Sequence, residues 1–198
     1  MSKIPTLYIF EVQLQGAIIP VWRIIEIKRT STLHELACVA MAAMGWRGDH
    51  LYNFNISGRE FEYFTEKEDF FPEFQNENAE LSTITKLADL DLNVGDSFRF
   101  TYDFGDNWEH TITLKGKSTL IDRLWGIPTC SSGSMNCPPE DFGGIDVYNQ
   151  IVAMHTKTGS VDMDKDLKKW YKDFNVYDTE EVRHVGFNNR VKSILKMF

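Results

Sequence analysis

The sequence predicts an α+β fold in which a β-grasp-like mixed sheet clasps one helix and a helical extension follows at the C-terminus. Short runs of alternating apolar and polar residues fill most of residues 1–116, and such alternation is typical of half-buried strands. One stretch with helical spacing interrupts them after residue 32. We therefore expect a single domain over residues 1–198, with a motif loop at 127–144 and the helical extension at 145–198.

The first strands are predicted to form a hairpin that leads into the helix. Residues 7–14 alternate strictly, residues 21–27 are rich in Ile and Val, and turn-forming Gly and Pro lie between the two runs. Thr32 and Glu35 then have the spacing of a capping box, in which each side chain accepts from the other residue's backbone amide. An apolar stripe follows until Gly45, a residue type that commonly ends helices.

Four further runs predict two more strand pairs. Residues 50–56 alternate and residues 60–64 return after a Ser-Gly turn. Residues 97–103 and 108–114 flank the spacer FGDN, whose Gly, Asp and Asn favour a tight connection. Strand pairs on both sides of one helix suggest the β-grasp-like arrangement.

The composition excludes several classes of protein. The 29 Asp and Glu residues outnumber the 21 Lys and Arg residues, which gives a formal net charge of −8 and disfavours general binding of nucleic acid. Three cysteines are too few for a secreted disulfide framework. The sequence shows neither a membrane-spanning apolar run nor a signal peptide, so we expect a cytoplasmic protein without a membrane partner.

The charge is concentrated in an acidic excursion at residues 65–81, which holds six acids, one base and three Phe. Two interpretations are open: a solvated loop, or a loop that docks its Phe side chains on the domain or on a partner. The C-terminal segment 183–198 has the opposite character, with four bases and no acid. Such a segment is typical of a solvated helix face, and it is the one stretch that suggests contact with nucleic acid.

Alternation also identifies three polar side chains that share a strand face with apolar ones, namely Arg23, His50 and His110. A buried Arg needs a carboxylate or carbonyl partner, because an unpaired buried charge is very unfavourable. The candidate pocket combines these three with nearby acids and one Trp: Arg23, His50, Asp103, Asp106, Trp108, His110, Glu140 and Asp141. Either these residues form a buried network that holds the strands in register, or they line a functional pocket at one end of the sheet.

These residue types are compatible with a divalent metal ion as a cofactor. Two sets of ligands are possible. The first set is Cys130, Cys137 and His110, and the second set is Asp103, Asp106 and Glu140. The six residues between the two cysteines make a wider spacing than zinc knuckles use. Two reduced, buried thiols are therefore the competing interpretation.

Several motifs resemble the plasmid Ri ORF-three-like family, some members of which are labelled transposon-passenger or resolvase-like proteins. The matching stretches are PVWR at 20–23, GW at 45–46, HL at 50–51, YDFGDNWEH at 102–110 and PPEDFGG at 138–144. The resemblance covers nearly the whole chain and implies a link to mobile elements, but it implies no particular activity and no catalytic residues. A serine resolvase needs a basic helix-turn-helix, which the sequence does not show.

Three functions compete. The first is a non-catalytic binding or accessory module, with an unidentified protein or ligand as its partner, and the sequence favours it over an enzyme. The second is a metal-assisted hydrolase with His110 as the general base, in which the ion is held by Asp103, Asp106, Glu140 and Asp141. The third is a DNA-binding protein that uses the segment 183–198.

Overall fold

The computed structural model describes residues 6–63, 78–119, 128–156 and 187–197. Within these residues, eight strands form one sheet in the order β5-β4-β3-β6-β7-β1-β2-β8. The strands are β1 (Thr6–Leu14), β2 (Trp22–Lys28), β3 (Tyr52–Ile56), β4 (Arg59–Glu62), β5 (Glu80–Leu81), β6 (Ser97–Tyr102), β7 (Trp108–Thr119) and β8 (Thr129–Ser134). Three helices in the described part are α1 (Leu33–Met44), α2 (Gly144–His155) and α3 (Phe187–Met197), and a 3-10 turn spans Leu87–Leu90.

The prediction of an α+β fold with a mixed sheet is confirmed. The neighbouring strands pair antiparallel except β4 and β5, which pair parallel. The predicted hairpins exist: β1 pairs with β2, β3 with β4 and β6 with β7. Alternating residues of each long strand point into the core, as in β1, where Phe10 and Val12 are fully buried. The sheet thus has one apolar face on which the helices can pack.

Helix α1 covers that apolar face. The Thr32 hydroxyl accepts from the Glu35 amide, and the Glu35 carboxylate accepts from the Thr32 amide, so the predicted capping box is present. Gly45 ends the helix with a φ of 94°, in the left-handed region that glycine adopts without penalty. Ten of the twelve helix residues are buried, because α1 contacts β2 on one side and α3 on the other.

The C-terminal extension packs on the far side of α1. Phe187, Val191 and Ile194 are the buried residues of α3, and a Cβ atom built at Gly48 would lie only 2.7 Å from Ile194 Cγ2. The Arg190 Nε donates to the carbonyl of Ala42 near the end of α1. Helix α3 therefore closes the core over the C-terminal end of α1.

Two expectations need correction, and others fall outside the described residues. The segment 127–144 is not a loop throughout, since its residues Thr129–Ser134 form the edge strand β8 against β2. His50 lies before β3 in a bend rather than on the strand, because the chain becomes regular only at Tyr52. Residues 65–77 of the acidic excursion and residues 183–186 of the basic segment lie outside the described residues.

Candidate functional site

The connection between β6 and β7 builds the floor of the candidate site. Asp103 follows β6 in the left-handed region, with a φ of 57°, and its Oδ1 accepts hydrogen bonds from the amides of Gly105 (2.9 Å) and Asp106 (3.4 Å). Asp is one of the few residue types that tolerate this conformation and bond their own turn. The turn therefore directs the other oxygen of Asp103, Oδ2, away from the connection.

The loop that precedes α2 folds directly onto this turn. Gly143 donates its amide to Asp106 Oδ2 at 3.1 Å, and a Cβ atom built at Gly144 would lie 3.0 Å from the Asp106 carbonyl oxygen. Trp46 Nε1 donates to the Pro138 carbonyl at 2.8 Å and anchors the start of the loop. The two most specific sequence motifs are thus neighbours in space, and their glycines permit the close backbone approach.

Three ligand-type side chains from three separate segments converge where these turns meet. His50 Nε2 lies 3.2 Å from Asp141 Oδ1 and 3.7 Å from Asp103 Oδ2. The Asp103 side chain is 9% exposed, that of His50 31% and that of Asp141 68%. Within the described part of the chain, these three side chains form the group that could hold a metal ion. Their three donor atoms all lie within 4.8 Å of one another.

Glu140 fixes the loop beside this group. Its carboxylate accepts hydrogen bonds from the Tyr102 hydroxyl and from the Gly48 amide, and it forms an ion pair with Arg47. Burial, followed by the Glu140 contact, raises the pKa of Tyr102, which keeps the phenol a neutral donor. Glu140 therefore acts as an anchor for its neighbour Asp141.

Aromatic rings form the wall behind His50. The Tyr102 ring packs edge-on to the His50 imidazole, with ring centroids 5.9 Å apart, and stacks on Trp46 at 5.0 Å. The contact with Tyr102 limits the movement of the His50 ring on the side that faces the core. Trp46 and Tyr102 are themselves buried, so these two rings connect the site to the core.

Two residues of the predicted pocket lie in the core. Trp108 and His110 have no exposed surface, and the His110 ring contacts Trp46 and Phe100. Burial lowers the pKa of His110 to about 4, opposed weakly by the backbone of Phe100 and Trp108. His110 is therefore a neutral core residue that solvent does not reach.

Arg23 is also buried, and its guanidinium donates to backbone carbonyls, which are partners of the kind that a buried Arg needs. Its Nε donates to Ala43 at 3.0 Å, and its Nη1 donates to Trp22 at 2.8 Å and to Ser134 at 2.9 Å. The side chain joins β2, β8 and the end of α1. This arrangement supports a structural role for Arg23.

The cysteines do not form the first ligand set considered above. Cys38, Cys130 and Cys137 are buried and form no disulfide among the described residues, and the atoms of Cys130, Cys137 and His110 do not converge as a ligand group there. Burial raises the pKa of both Cys38 and Cys137 to about 12. Of the second set, Asp103 alone belongs to the converging group, while Asp106 and Glu140 hold the loop.

Two contributors were missed from the sequence. Arg47 pairs with both Asp49 and Glu140, and Tyr102 supports His50 and Glu140. Tyr102 lies within the YDFGDNWEH motif, so its motif position was an available signal. Arg47 lies in an irregular segment, where alternation carries no information.

Fold and site together define an α+β protein whose two motif segments build a carboxylate-rich patch at one end of a mixed sheet. Residues 6–184 match the family described as "Plasmid pRiA4b ORF-3-like protein", and the chain belongs to this family, as the motifs indicated. Among the described residues, no helix combines the length and apolar character needed to cross a membrane.

Two known proteins are similar to this chain, one in sequence and one in fold. The "Uncharacterized protein y4hQ" of Sinorhizobium fredii (strain NBRC 101917 / NGR234) is 33% identical over 116 residues, which are 59% of this chain and 54% of that protein. The match thus spans about half the length of that relative. The crystal structure of the protein of unknown function MM3350 from Methanosarcina mazei Go1 has a TM-score of 0.73 at 21% identity. It covers 91% of this chain and 99% of its own, and it shows the same fold.

Proposed function

We propose that this protein is a non-catalytic binding module whose ligand carries positive charge and binds at the patch around His50. The observation that carries the proposal is the charge of the patch. Five carboxylates lie in the connected segments around one imidazole, those of Asp49, Asp103, Asp106, Glu140 and Asp141, and Arg47 pairs with two of them, Asp49 and Glu140. Clustered charge of one sign attracts ligands of the other.

The burial of the reactive side chains supports binding over covalent catalysis. A nucleophile must be exposed and activated, whereas the three thiols are buried and the pKa of Cys38 and of Cys137 is raised to about 12. His110, the general base of the hydrolase hypothesis, is buried and neutral. A link of this module to mobile elements stays a prediction.

Calorimetric titration of the full chain at low salt tests the proposal. The probes are spermine, a short oligolysine and Mn²⁺, with an oligoglutamate as the anionic control. We expect the cations to bind and the oligoglutamate to give no heat. Asp141→Asn removes an exposed charge of the patch and should weaken binding. Asp89→Asn is the matched control, because Asp89 is an exposed acid in the 3-10 turn, near the opposite end of α1.

Two results would contradict a cation-binding function. The first is the absence of binding for all three cationic probes. The second is binding that Asp141→Asn and Asp89→Asn weaken equally, because that result would assign the affinity to overall net charge rather than to the patch.

A metal-assisted hydrolase is the second candidate, and the exposure of Asp141 favours it. Three protein ligands leave coordination positions open to water, as catalytic metal sites do. The Gly143 amide engages Asp106 Oδ2, and no group of the described residues bonds Oδ1 of this carboxylate in the adjoining turn. Hydrolysis of phosphoester or amide substrates that needs both Mn²⁺ and Asp141 would favour the hydrolase and contradict the non-catalytic proposal.

A further inference from the structure

We infer that the positively charged ligand is a divalent transition-metal ion, bound directly by His50 Nε2, Asp103 Oδ2 and Asp141 Oδ1. The inference rests on the proposed function, because it names the cation that the patch takes. It also goes further, since a metal bound through these atoms predicts one ion per chain and a defined coordination. A diffuse attraction of cations would predict neither.

The spacing of the three donor atoms fits a single ion. Bonds of about 2.1 Å in tetrahedral geometry place neighbouring ligand atoms about 3.4 Å apart. The distances from His50 Nε2 are 3.2 Å to Asp141 Oδ1 and 3.7 Å to Asp103 Oδ2. All three atoms lie within 4.8 Å of one another, and the largely exposed Asp141 side chain is free to close the remaining gap.

The hydrogen bonding of these atoms provides an independent indication. His50 Nε2 is inaccessible to solvent and has no hydrogen-bond partner within the described residues, since its contact with Asp141 is not aligned as a hydrogen bond. The Asp103 side chain is nine-tenths buried, and its Oδ2 is too far from His50 for a hydrogen bond. Buried polar atoms are normally partnered. A bound ion would give His50 Nε2 the partner that it lacks among the described residues.

The surrounding contacts hold two of the three ligands in place. The amides of Gly105 and Asp106 orient the Asp103 carboxylate through Oδ1, and Tyr102 packs against the His50 ring. Ligand side chains of metal sites are typically oriented by such outer partners. Asp141 stays exposed, but the hydrogen bonds of Glu140 fix the backbone beside it.

The donor types select the class of metal. One imidazole nitrogen and two carboxylate oxygens suit Zn²⁺, Mn²⁺ or Co²⁺. Ca²⁺ prefers six or more oxygen ligands, and Mg²⁺ prefers oxygen in octahedral geometry. Two nearby acids are already engaged, Asp49 with Arg47 and Glu140 with Tyr102, so they are not free to build an all-oxygen site.

Titration of the metal-free full chain with Co²⁺ tests the inference, because the visible absorption of Co²⁺ reports its ligands and geometry. We expect one Co²⁺ per chain, displacement by an equal amount of Zn²⁺, and no displacement by a large excess of Mg²⁺. Asp141→Asn and His50→Gln should each weaken Co²⁺ binding more than about tenfold. Asp89→Asn should bind as the wild type does.

The variants are chosen so that misfolding does not decide the result. Asn adopts the left-handed region readily, so Asp141→Asn preserves the local backbone, where Asp141 has a φ of 56°. His50 lies in a bend and is half-buried, and Gln keeps most of its volume. Thermal unfolding of each variant provides the check on folding.

Several outcomes would overturn the inference. They are no stoichiometric Co²⁺ binding by the wild type, equal affinity of wild type and both site variants, or displacement of Co²⁺ by Mg²⁺. Binding of spermine or oligolysine without Co²⁺ binding would overturn the inference of a metal site but would leave the proposed cation-binding function standing. The absence of binding for every cation would overturn both.

Discussion

Replacement of Gly133 by Ala tests whether the buried Arg23 is as tightly held as the structure indicates. Gly133 is paired with Arg23 across β8 and β2. A Cβ atom built at Gly133 would lie 2.7 Å from Arg23 Cδ, 2.9 Å from the Trp22 carbonyl oxygen and 3.2 Å from Arg23 Nη1. Favourable carbon contacts lie at about 3.5–4.0 Å, so the added methyl group overlaps both neighbours.

Neither neighbour can move freely. The Trp22 oxygen belongs to the backbone of β2, and Arg23 donates three hydrogen bonds to carbonyls that include those of Ala43 and Ser134. Overpacking of this kind lowers the free energy of unfolding by about 1–3 kcal/mol. The lower entropy of the unfolded Ala chain offsets about 0.4–1 kcal/mol of this loss. We expect Gly133→Ala to lower the free energy of unfolding by about 2 kcal/mol, because loss of an Arg23 hydrogen bond would add to the overlap.

Chemical denaturation with Gly116→Ala as the control provides the measurement. Gly116 is also a strand glycine, but a Cβ atom there meets only Ile9 Cδ1 at 3.6 Å, an ordinary contact. Gly116→Ala should therefore change the free energy of unfolding by less than about 0.5 kcal/mol, or raise it slightly. Equal stability of the two variants would refute the reasoning, because it would mean that Arg23 or β8 yields without penalty.

Two further predictions concern Glu140 and His110. Glu140→Ala should lower the free energy of unfolding by about 2 kcal/mol because it leaves the Tyr102 hydroxyl and the Gly48 amide without their acceptor. Glu140→Gln keeps an acceptor oxygen and should cost much less, which urea titration of both variants checks. Burial lowers the pKa of His110 from 6.5 to about 4. Between these two pH values His110 is protonated in the unfolded chain but not in the folded protein, so the free energy of unfolding should fall as the pH falls from 6.5 to about 4. His110→Leu should flatten that loss in pH-dependent unfolding, and an unchanged slope would contradict the assignment.

Local pattern was sufficient to predict much of the fold. The capping box at Thr32 and the terminating Gly45 depend on neighbours a few residues apart in the chain, and both are present. The hairpins were predictable for the same reason, because alternation and turn residues are local signals. The edge strand β8 was missed, since its Ser- and Gly-rich sequence resembles a loop and its strand geometry depends on pairing with β2.

The candidate site was predicted only in part. Of the residues named from the sequence, His50, Asp103 and Asp141 converge, whereas Trp108 and His110 are fully buried in the core. Alternation reports which face of a strand a side chain occupies. It does not report what covers that face or how far from the sheet end the covering layer extends, so core and surface residues were grouped together.

The sequence by itself therefore determined the strands of the three hairpins, the capped helix, the family and the residue types of the site, because these depend on periodicity and on contacts close in the chain. Only the tertiary structure decided which polar residues meet. His50, Asp103 and Asp141 come from the segment after α1, the β6–β7 connection and the loop before α2, and they meet because the PPEDFGG loop packs on that connection through Gly143 and Asp106. Such proximity arises from the packing of segments distant in the chain, which no local pattern encodes.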